Sequence, residues 1–266
     1  MDLGLRDRVY LVTGGSRGLG FAAAQALVAD GARVLISAPH EATAASAAAR
    51  LTQNVAPDAA AWVVADNADP ATPSELITAA RERFGRLDGA LISVGGSPGG
   101  SIADTPDEAW RSAFESVFLG AIRLARILAA SLAGQHDGTS RTGTGGSIVF
   151  ILAASVRAPL PGLAISNGLF PGLAGVVKTL ADEHGPAGIR INGLLPVRIA
   201  TDRVRQLDAL LGDPDEVRAR LSQDIPLRRY GELTEFGQAT AFVLSPAASY
   251  ITGAMIPIDG GAIRSI

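Results

Sequence analysis

The chain contains no cysteine, which excludes disulfides and thiolate metal sites. Histidine occurs only at His40, His136 and His184, too far apart in sequence to suggest a metal cluster, and no metal is expected. Lysine occurs once, as Lys178, and tyrosine only at Tyr10, Tyr230 and Tyr250. No apolar run reaches the roughly 18 to 20 residues of a membrane span. Met1 leads into Asp2 and Arg6 rather than into the apolar core of a signal peptide. A net charge of −3 offers no cationic footprint for nucleic acid. The expectation is a cytoplasmic protein that engages neither nucleic acid nor membrane. With 266 residues, 47% of them hydrophobic, one α/β domain can bury a full core.

Short apolar runs alternate with longer alanine-rich stretches. The runs Val9–Thr13, Arg33–Ser37, Ala61–Ala65, Gly89–Ser93, Ser147–Leu152, Ile189–Leu195 and Met255–Ile258 are nearly continuous in apolar residues. Parallel strands covered on both faces read this way. Between them, Leu19–Ala29, Glu41–Asn54, Pro73–Phe84, Pro106–Leu132, Leu163–His184 and Thr234–Leu244 have helical length and period. Thr72 and Thr105 precede Pro73 and Pro106, as a cap precedes a first-turn proline. The alternation predicts a single Rossmann-type domain, a doubly wound parallel sheet of about seven strands. Two stretches break the rhythm. Gln135–Gly146 is polar and glycine-rich and reads as a mobile loop with fast amide exchange. Residues 196–230 are charged, with two short helical stretches. Following a strand's carboxyl end, they suit a substrate lid or a plain surface excursion equally.

The first strand runs into Thr13-Gly14-Gly15-Ser16-Arg17-Gly18-Leu19-Gly20 and then a helix. Gly14 permits the tight turn, Gly18 lets backbone approach a pyrophosphate, and Gly20 lets helix and strand pack closely. That strand–turn–helix setting makes the glycine pattern a dinucleotide site. An NAD site would place an acid at the end of the second strand. Here Ser37-Ala38-Pro39-His40 stands there, with Arg17 in the phosphate loop. Arg17 and Ser37 favour a 2′-phosphate, hence NADP(H) over NAD(H).

These features, taken with several later ones, resemble the short-chain dehydrogenase/reductase family over nearly the whole chain. TGGSRGLG matches the family's TGxxxGxG, and Asp66 its adenine-contacting aspartate. Phe84-Gly85-Arg86-Leu87-Asp88, Gly188-Ile189-Arg190-Ile191-Asn192, Pro196 with Thr201, Ile251-Thr252-Gly253 and Asp259-Gly260-Gly261 follow in family order. The resemblance implies cofactor contacts from Gly14, Ser16, Arg17, Gly18, Leu19, Gly20, Ser37, Asp66, Asn67, Ser93, Gly95, Pro196 and Thr201. It also implies a homodimer or homotetramer built on the two long helices.

The family's Asn-Ser-Tyr-Lys tetrad has no counterpart under the same alignment. Its positions fall on Phe118, Ala153, Ser166 and Phe170, while the usual NNAG reads Ser93-Val94-Gly95-Gly96 and Val197 follows Pro196. A shifted register does not help. Ala174 lies four residues before Lys178, and Gly14, Thr234 and Ala254 lie four after the tyrosines. A tyrosine titrates near pH 10 and a nearby cation lowers that value. Serine is a poor proton exchanger without a base, and phenylalanine offers no charge. The weak catalytic candidates are Ser166 and Ser155, and Arg157 and Arg198 are expected at the pocket mouth. Three functions stay open: an NADP(H)-binding member without the usual ketone/alcohol chemistry; an oxidoreductase of an activated carbonyl with a non-standard proton donor; and a non-redox isomerase, lyase or cyclase using the apolar pocket.

Overall fold

The computed structural model describes residues 2–53, 55–96, 98–134 and 145–265. Seven strands stand where the apolar runs place them, to within a residue: β1 (Val9–Thr13), β2 (Arg33–Ala38), β3 (Ala60–Val64), β4 (Gly89–Ser93), β5 (Gly146–Ile151), β6 (Ile189–Pro196) and β7 (Met255–Ile258). They form one parallel sheet in the order β3-β2-β1-β4-β5-β6-β7. The order reverses between β1 and β4, so a crevice opens there at the carboxyl ends of the strands.

Helices cover both faces. Leu76 and Ile77 of α3 (Thr72–Phe84), Leu124 and Leu128 of α5 (Gly120–Ala133), and Leu173 and Val177 of α6 (Ala164–His184) join the core on one side. Leu27 of α1 (Gly18–Ala29), Leu51 of α2 (Glu41–Leu51), and Phe236 and Leu244 of α9 (Leu233–Leu244) join the core on the other. Buried Arg190 on β6 donates to the carbonyls of Val243 and Ser245, each at 2.9 Å, and of Leu244 at 3.2 Å. Its guanidinium thereby caps the end of α9. Burial pulls its pKa down to about 10, so it stays charged at neutral pH.

Several local expectations are corrected. Thr72 is the first residue of α3 rather than its cap, and its hydroxyl donates to the Asp66 carbonyl at 2.7 Å. Thr105 does not cap α4 (Asp107–Ala113) either; its hydroxyl bonds the Ser101 carbonyl at 2.5 Å. In each case a carbonyl just upstream competes successfully for the hydroxyl. α2 ends at Leu51, short of Asn54. Most of the glycine-rich loop, 135–144, lies outside the described residues, and Gly146 belongs to β5.

The stretch expected as one helix over Pro106–Leu132 consists of α4, a π-helical turn at Phe114–Leu119, and α5. The widened turn closes with Gly120 N–H donating to the Glu115 carbonyl. Asp107–Ala133 as a whole is long and apolar enough to cross a membrane, which a search for uninterrupted apolar runs misses. Its buried Leu124, Leu128 and Leu132 make it a core helix instead.

Gly120 fixes where this helix sits. A β-carbon there would lie 2.2 Å from the Asn67 carbonyl oxygen, a backbone atom that cannot swing aside. Gly120→Ala is expected to cost about 1–3 kcal/mol through overpacking, more than the gain of up to about 1 kcal/mol in helix propensity. Urea unfolding should show a lower midpoint at unchanged slope. An unchanged midpoint would mean that α5 retreats freely.

Candidate functional site

β1 delivers the chain into Gly14 at φ 60°, and Gly18 opens α1 at φ 56°. Both lie in the left-handed region that glycine enters without cost. A β-carbon on Gly20 would lie 2.5 Å from the Gly14 carbonyl oxygen, so only glycine lets α1 start this close to the turn. On Gly18 it would enter open space, with nothing nearer than Thr201 Cγ2 at 4.0 Å. The loop therefore presents bare backbone above a helix N-terminus, a cradle that a side chain would fill and a phosphate suits. Ser16 and Leu19 are half-buried along it, and Arg17 is exposed. Gly15 N–H bonds the Ser37 carbonyl at 3.1 Å, tying the loop to β2. Ser37 itself is only 2% exposed. Its hydroxyl is held inside, which leaves Arg17 as the exposed group of the pair.

Across the sheet reversal, the Thr13 hydroxyl donates to the Ser93 carbonyl at 3.0 Å and accepts from the Ser93 N–H at 2.8 Å. Asn67 Nδ2 reaches the same carbonyl at 3.4 Å, and the Asp66 carboxylate accepts from Ala68 N–H at 2.9 Å. β1, β3 and β4 are thus joined at their carboxyl ends. Gly95 follows at φ 77°, exposed, with nothing within 4 Å of a β-carbon position. The fold therefore brings together the phosphate loop, Asp66, Asn67, Ser93 and Gly95.

Beyond Pro196, Thr201 caps α7 (Asp202–Ala209), its hydroxyl oxygen accepting from Val204 N–H at 3.1 Å. That bond uses a lone pair and leaves the hydroxyl proton free to donate. α7 and α8 (Pro214–Ser222) are the two short helices expected over 196–230. α7 lies on the loop after β4: Arg203 Nε is 3.1 Å from a Gly96 β-carbon position, and Leu207 Cδ2 is 4.0 Å from that of Gly99.

A polar latch holds α7 down. Asp208, 2% exposed, accepts from Arg198 Nη1 at 2.5 Å and from the Tyr230 hydroxyl at 3.0 Å. Burial pushes the Tyr230 phenol up, against the opposing pull of Arg198. Arg198 is thus half-buried and paired with Asp208, while Arg157 is exposed. A cavity of about 150 Å³, lined by residues including Thr201, Asp208, Arg218 and Tyr230, belongs to this latch.

The remaining positions lie on or against α6. Ser166 and Phe170 are each 6% exposed, and Phe170 packs in the core cluster. Ser155, at 4% exposure, donates its hydroxyl to the Ser166 carbonyl at 3.3 Å. The fold thus brings the two serines together, but as buried groups. β-carbons on Gly168 and Gly172 would sit 2.8 Å from the Trp110 ring and 2.9 Å from the Phe118 ring. Phe118 also stacks on Phe114 at 5.3 Å. Lys178 lies about 12 Å farther along α6 than Phe170 at 1.5 Å per residue, with its ammonium against Gly253. Among the described residues, no three His, Asp or Glu side chains gather as a metal site.

Sequence reasoning missed Asn167, Asp208 and Arg203. The Asn167 amide grips Leu160 from both sides, accepting its N–H at 2.9 Å and donating to its carbonyl at 2.8 Å. It thereby shapes the loop before α6. An asparagine directly after the candidate Ser166 was the available signal. Asp208 and Arg203 carried none, because their partners are distant in sequence.

The family model described as Enoyl-(Acyl carrier protein) reductase matches residues 14–262. The chain is 34% identical to levodione reductase of Leifsonia aquatica, over 96% of this chain and 94% of that protein. It is 33% identical to L-rhamnose 1-dehydrogenase (NAD(P)(+)) of Azotobacter vinelandii, over 97% of each. The crystal structure of levodione reductase superimposes with a TM-score of 0.89 at 29% identity, covering 98% of this chain and 99% of the other. L-sorbose reductase from Gluconobacter frateurii, complexed with NADPH and L-sorbose, superimposes with a TM-score of 0.89 at 26% identity, both chains fully covered. The chain belongs to the short-chain dehydrogenase/reductase family of oxidoreductases, and its crevice is that of a nicotinamide-nucleotide-binding fold.

The latch makes a local prediction. Asp208→Ala strands a buried phenol and frees Arg198. Amide exchange should accelerate about tenfold or more across α7 and α8 while β1, β4 and β5 keep their protection. Equal protection of α7 in both proteins would show that Leu207 and its neighbours suffice to hold it.

Proposed function

We propose that this chain binds NADP(H) in the crevice and lacks the family's usual ketone–alcohol interconversion. One observation carries the second half: Phe170, at the position of the family's lysine, is packed in the core, and the sole lysine lies against Gly253. With Ser166 at the tyrosine position, Ala153 at the serine position and Phe118 at the asparagine position, no described group there pairs an acid with a cation. General acid–base help contributes about 10² to 10⁴ in rate, so hydride transfer to an ordinary ketone should be too slow to register.

The residues fit a dinucleotide. The backbone of Gly14–Gly20 would hold the pyrophosphate, Asp66 and Asn67 the adenine side, and Arg17 a 2′-phosphate. Ser93, Gly95, Pro196 and Thr201 border the nicotinamide side. The cofactor's chemistry would be hydride donation. The chain's own part is to bind, orient and keep water out, with residues 196–230 serving as a lid. A second reading keeps a reductase of activated carbonyls. The adjacency of Ser155 and Ser166 favours it, since a hydroxyl or a relayed water would then supply the proton.

NADPH should bind more tightly than NADH in calorimetry, and Arg17→Ala should narrow the gap at least several-fold; equal affinities would refute the role of Arg17. Simple ketones should cause no NADPH oxidation by the unmodified protein. Turnover of an ordinary ketone would transfer the conclusion to the second reading, with Ser166→Ala as its first test. Ser166→Tyr with Phe170→Lys, even with Ala153→Ser and Phe118→Asn, should stay poor, because the new lysine would enter a buried apolar site.

We also propose a homodimer or homotetramer. The apolar surface of Asp107–Ala133 is only partly covered within one chain, and α6 lies beside it. A monomeric mass by light scattering at micromolar concentration would refute this.

A further inference from the structure

We infer that Arg123 is a positioning residue for the nucleotide's adenine: held by Glu115 across the π-helical turn, it fixes the turn that presents the Asp66 carboxylate. This rests on the NADP(H) reading above.

Asp66 follows the carboxyl end of β3 and is exposed. Under that reading it faces the adenine. The exocyclic amine of adenine is a donor and an ionised carboxylate only accepts, so the two are complementary. A short turn aims the carboxylate. Ala68 N–H donates to Asp66 Oδ1 at 2.9 Å, Asp69 N–H to the Asp66 carbonyl at 3.1 Å, and the Thr72 hydroxyl to the same carbonyl at 2.7 Å. These bonds are local, and none of them uses the Ala68 carbonyl. Arg123 of α5 reaches that group from outside the turn, Nη1 donating to it at 3.3 Å.

The arginine is itself held. Its Nη1 also donates to Glu115 Oε1 at 2.5 Å, and its side chain is 19% exposed. On an unbroken α-helix, residues eight apart diverge by about 80°. The π-helical turn at Phe114–Leu119 takes in one residue more than an α-turn. Glu115 and Arg123 therefore stand as residues seven apart do, within about 20° of one face. The widened turn thus brings the carboxylate into reach of the guanidinium. It closes on the Glu115 carbonyl through Gly120 N–H, and Gly120 lies against the Asn67 carbonyl oxygen. Backbone at Gly120 and side chain at Arg123 brace two successive residues, Asn67 and Ala68, from one helix. With Nη1 committed to both partners and the side chain largely buried, Arg123 acts through the turn rather than on the nucleotide.

The unmodified protein, Arg123→Met, Arg123→Lys and Glu115→Gln should be titrated by calorimetry with NADPH and with its hypoxanthine analogue. In the analogue a carbonyl oxygen replaces the exocyclic amine and cannot donate to Asp66. The unmodified protein should prefer NADPH. Arg123→Met keeps most of the buried stem and removes the donors. It should weaken NADPH about threefold to tenfold, part of the worth of a charged hydrogen bond, and narrow the preference over the analogue by a similar factor. Arg123→Lys should recover part of both effects. Glu115→Gln leaves the arginine in place and should give a smaller shift in the same direction. A merely structural role would lower affinity for both nucleotides equally and leave the preference intact. That result would overturn the inference, as would unchanged NADPH affinity in Arg123→Met or the absence of a preference in the unmodified protein. Should Arg123→Met fail to fold, the same criteria apply to Glu115→Gln. Failure of the unmodified protein to bind NADPH at all would instead remove the reading on which the inference rests.

Discussion

The crevice depends on backbone meeting backbone with no room for a β-carbon. Gly20 sits on the Gly14 carbonyl, Gly237 on that of Ala22, Gly120 on that of Asn67, and Gly89 on that of Ser147. Each contact joins two elements of the sheet or its cover, and those of Gly20 and Gly120 lie next to the ligand end. Gly20 and Gly237 seat α1 against its own turn and against α9. Gly120 seats α5 under the Asn67 segment, and Gly89 seats β4 against β5. Close-packed interiors do not deform gradually. An added methyl at any of these points would therefore displace a whole element, and at Gly20 it would disturb the cradle itself.

The sheet was legible because parallel strands covered on both faces need apolar side chains on both, and little else produces such runs. The phosphate loop was legible because its glycines answer local demands: a left-handed turn at Gly14 and a helix start at Gly18. The Asp208 latch was not legible. Its partners stand 10 and 22 residues away, and only the route of the chain brings them together. Arg203 was hidden for the same reason, since it packs on the loop after β4, which is distant in sequence. The threonine caps were misread because the sequence shows a hydroxyl before a proline but not the carbonyl that takes it.

α6 packs against its neighbours through glycines as well as through its apolar side chains. Gly168 and Gly172 lie one turn apart and present a flat surface, on which Trp110 and Phe118 rest. Phe170, between them in sequence, turns into the core. Aromatic rings occupy this side of the helix, and the π-helical turn at Phe114–Leu119 carries Phe118 to it. The apolar contacts support one another: Phe118 needs Gly172, and the widened turn needs Gly120. A charge returned to position 170 would face this packing rather than water, so the floor cannot be converted by exchanging one side chain.

Under the NADP(H) reading proposed above, apolar packing at Phe170 also bears on what the rest of the crevice must do. A dinucleotide's pyrophosphate carries negative charge into a cleft of low polarity, where an unpaired ion is costly. Backbone N–H groups of the phosphate loop offset part of that cost. The remainder falls to side chains, of which Arg17 stands exposed on the phosphate loop. Thr201, which caps α7 and stands over Gly18, links the phosphate loop to the seating of that helix. If NADP(H) binds as proposed, whatever loosens the Asp208 latch also releases the segment that carries Thr201, so affinity for the nucleotide and order in this segment should rise and fall together.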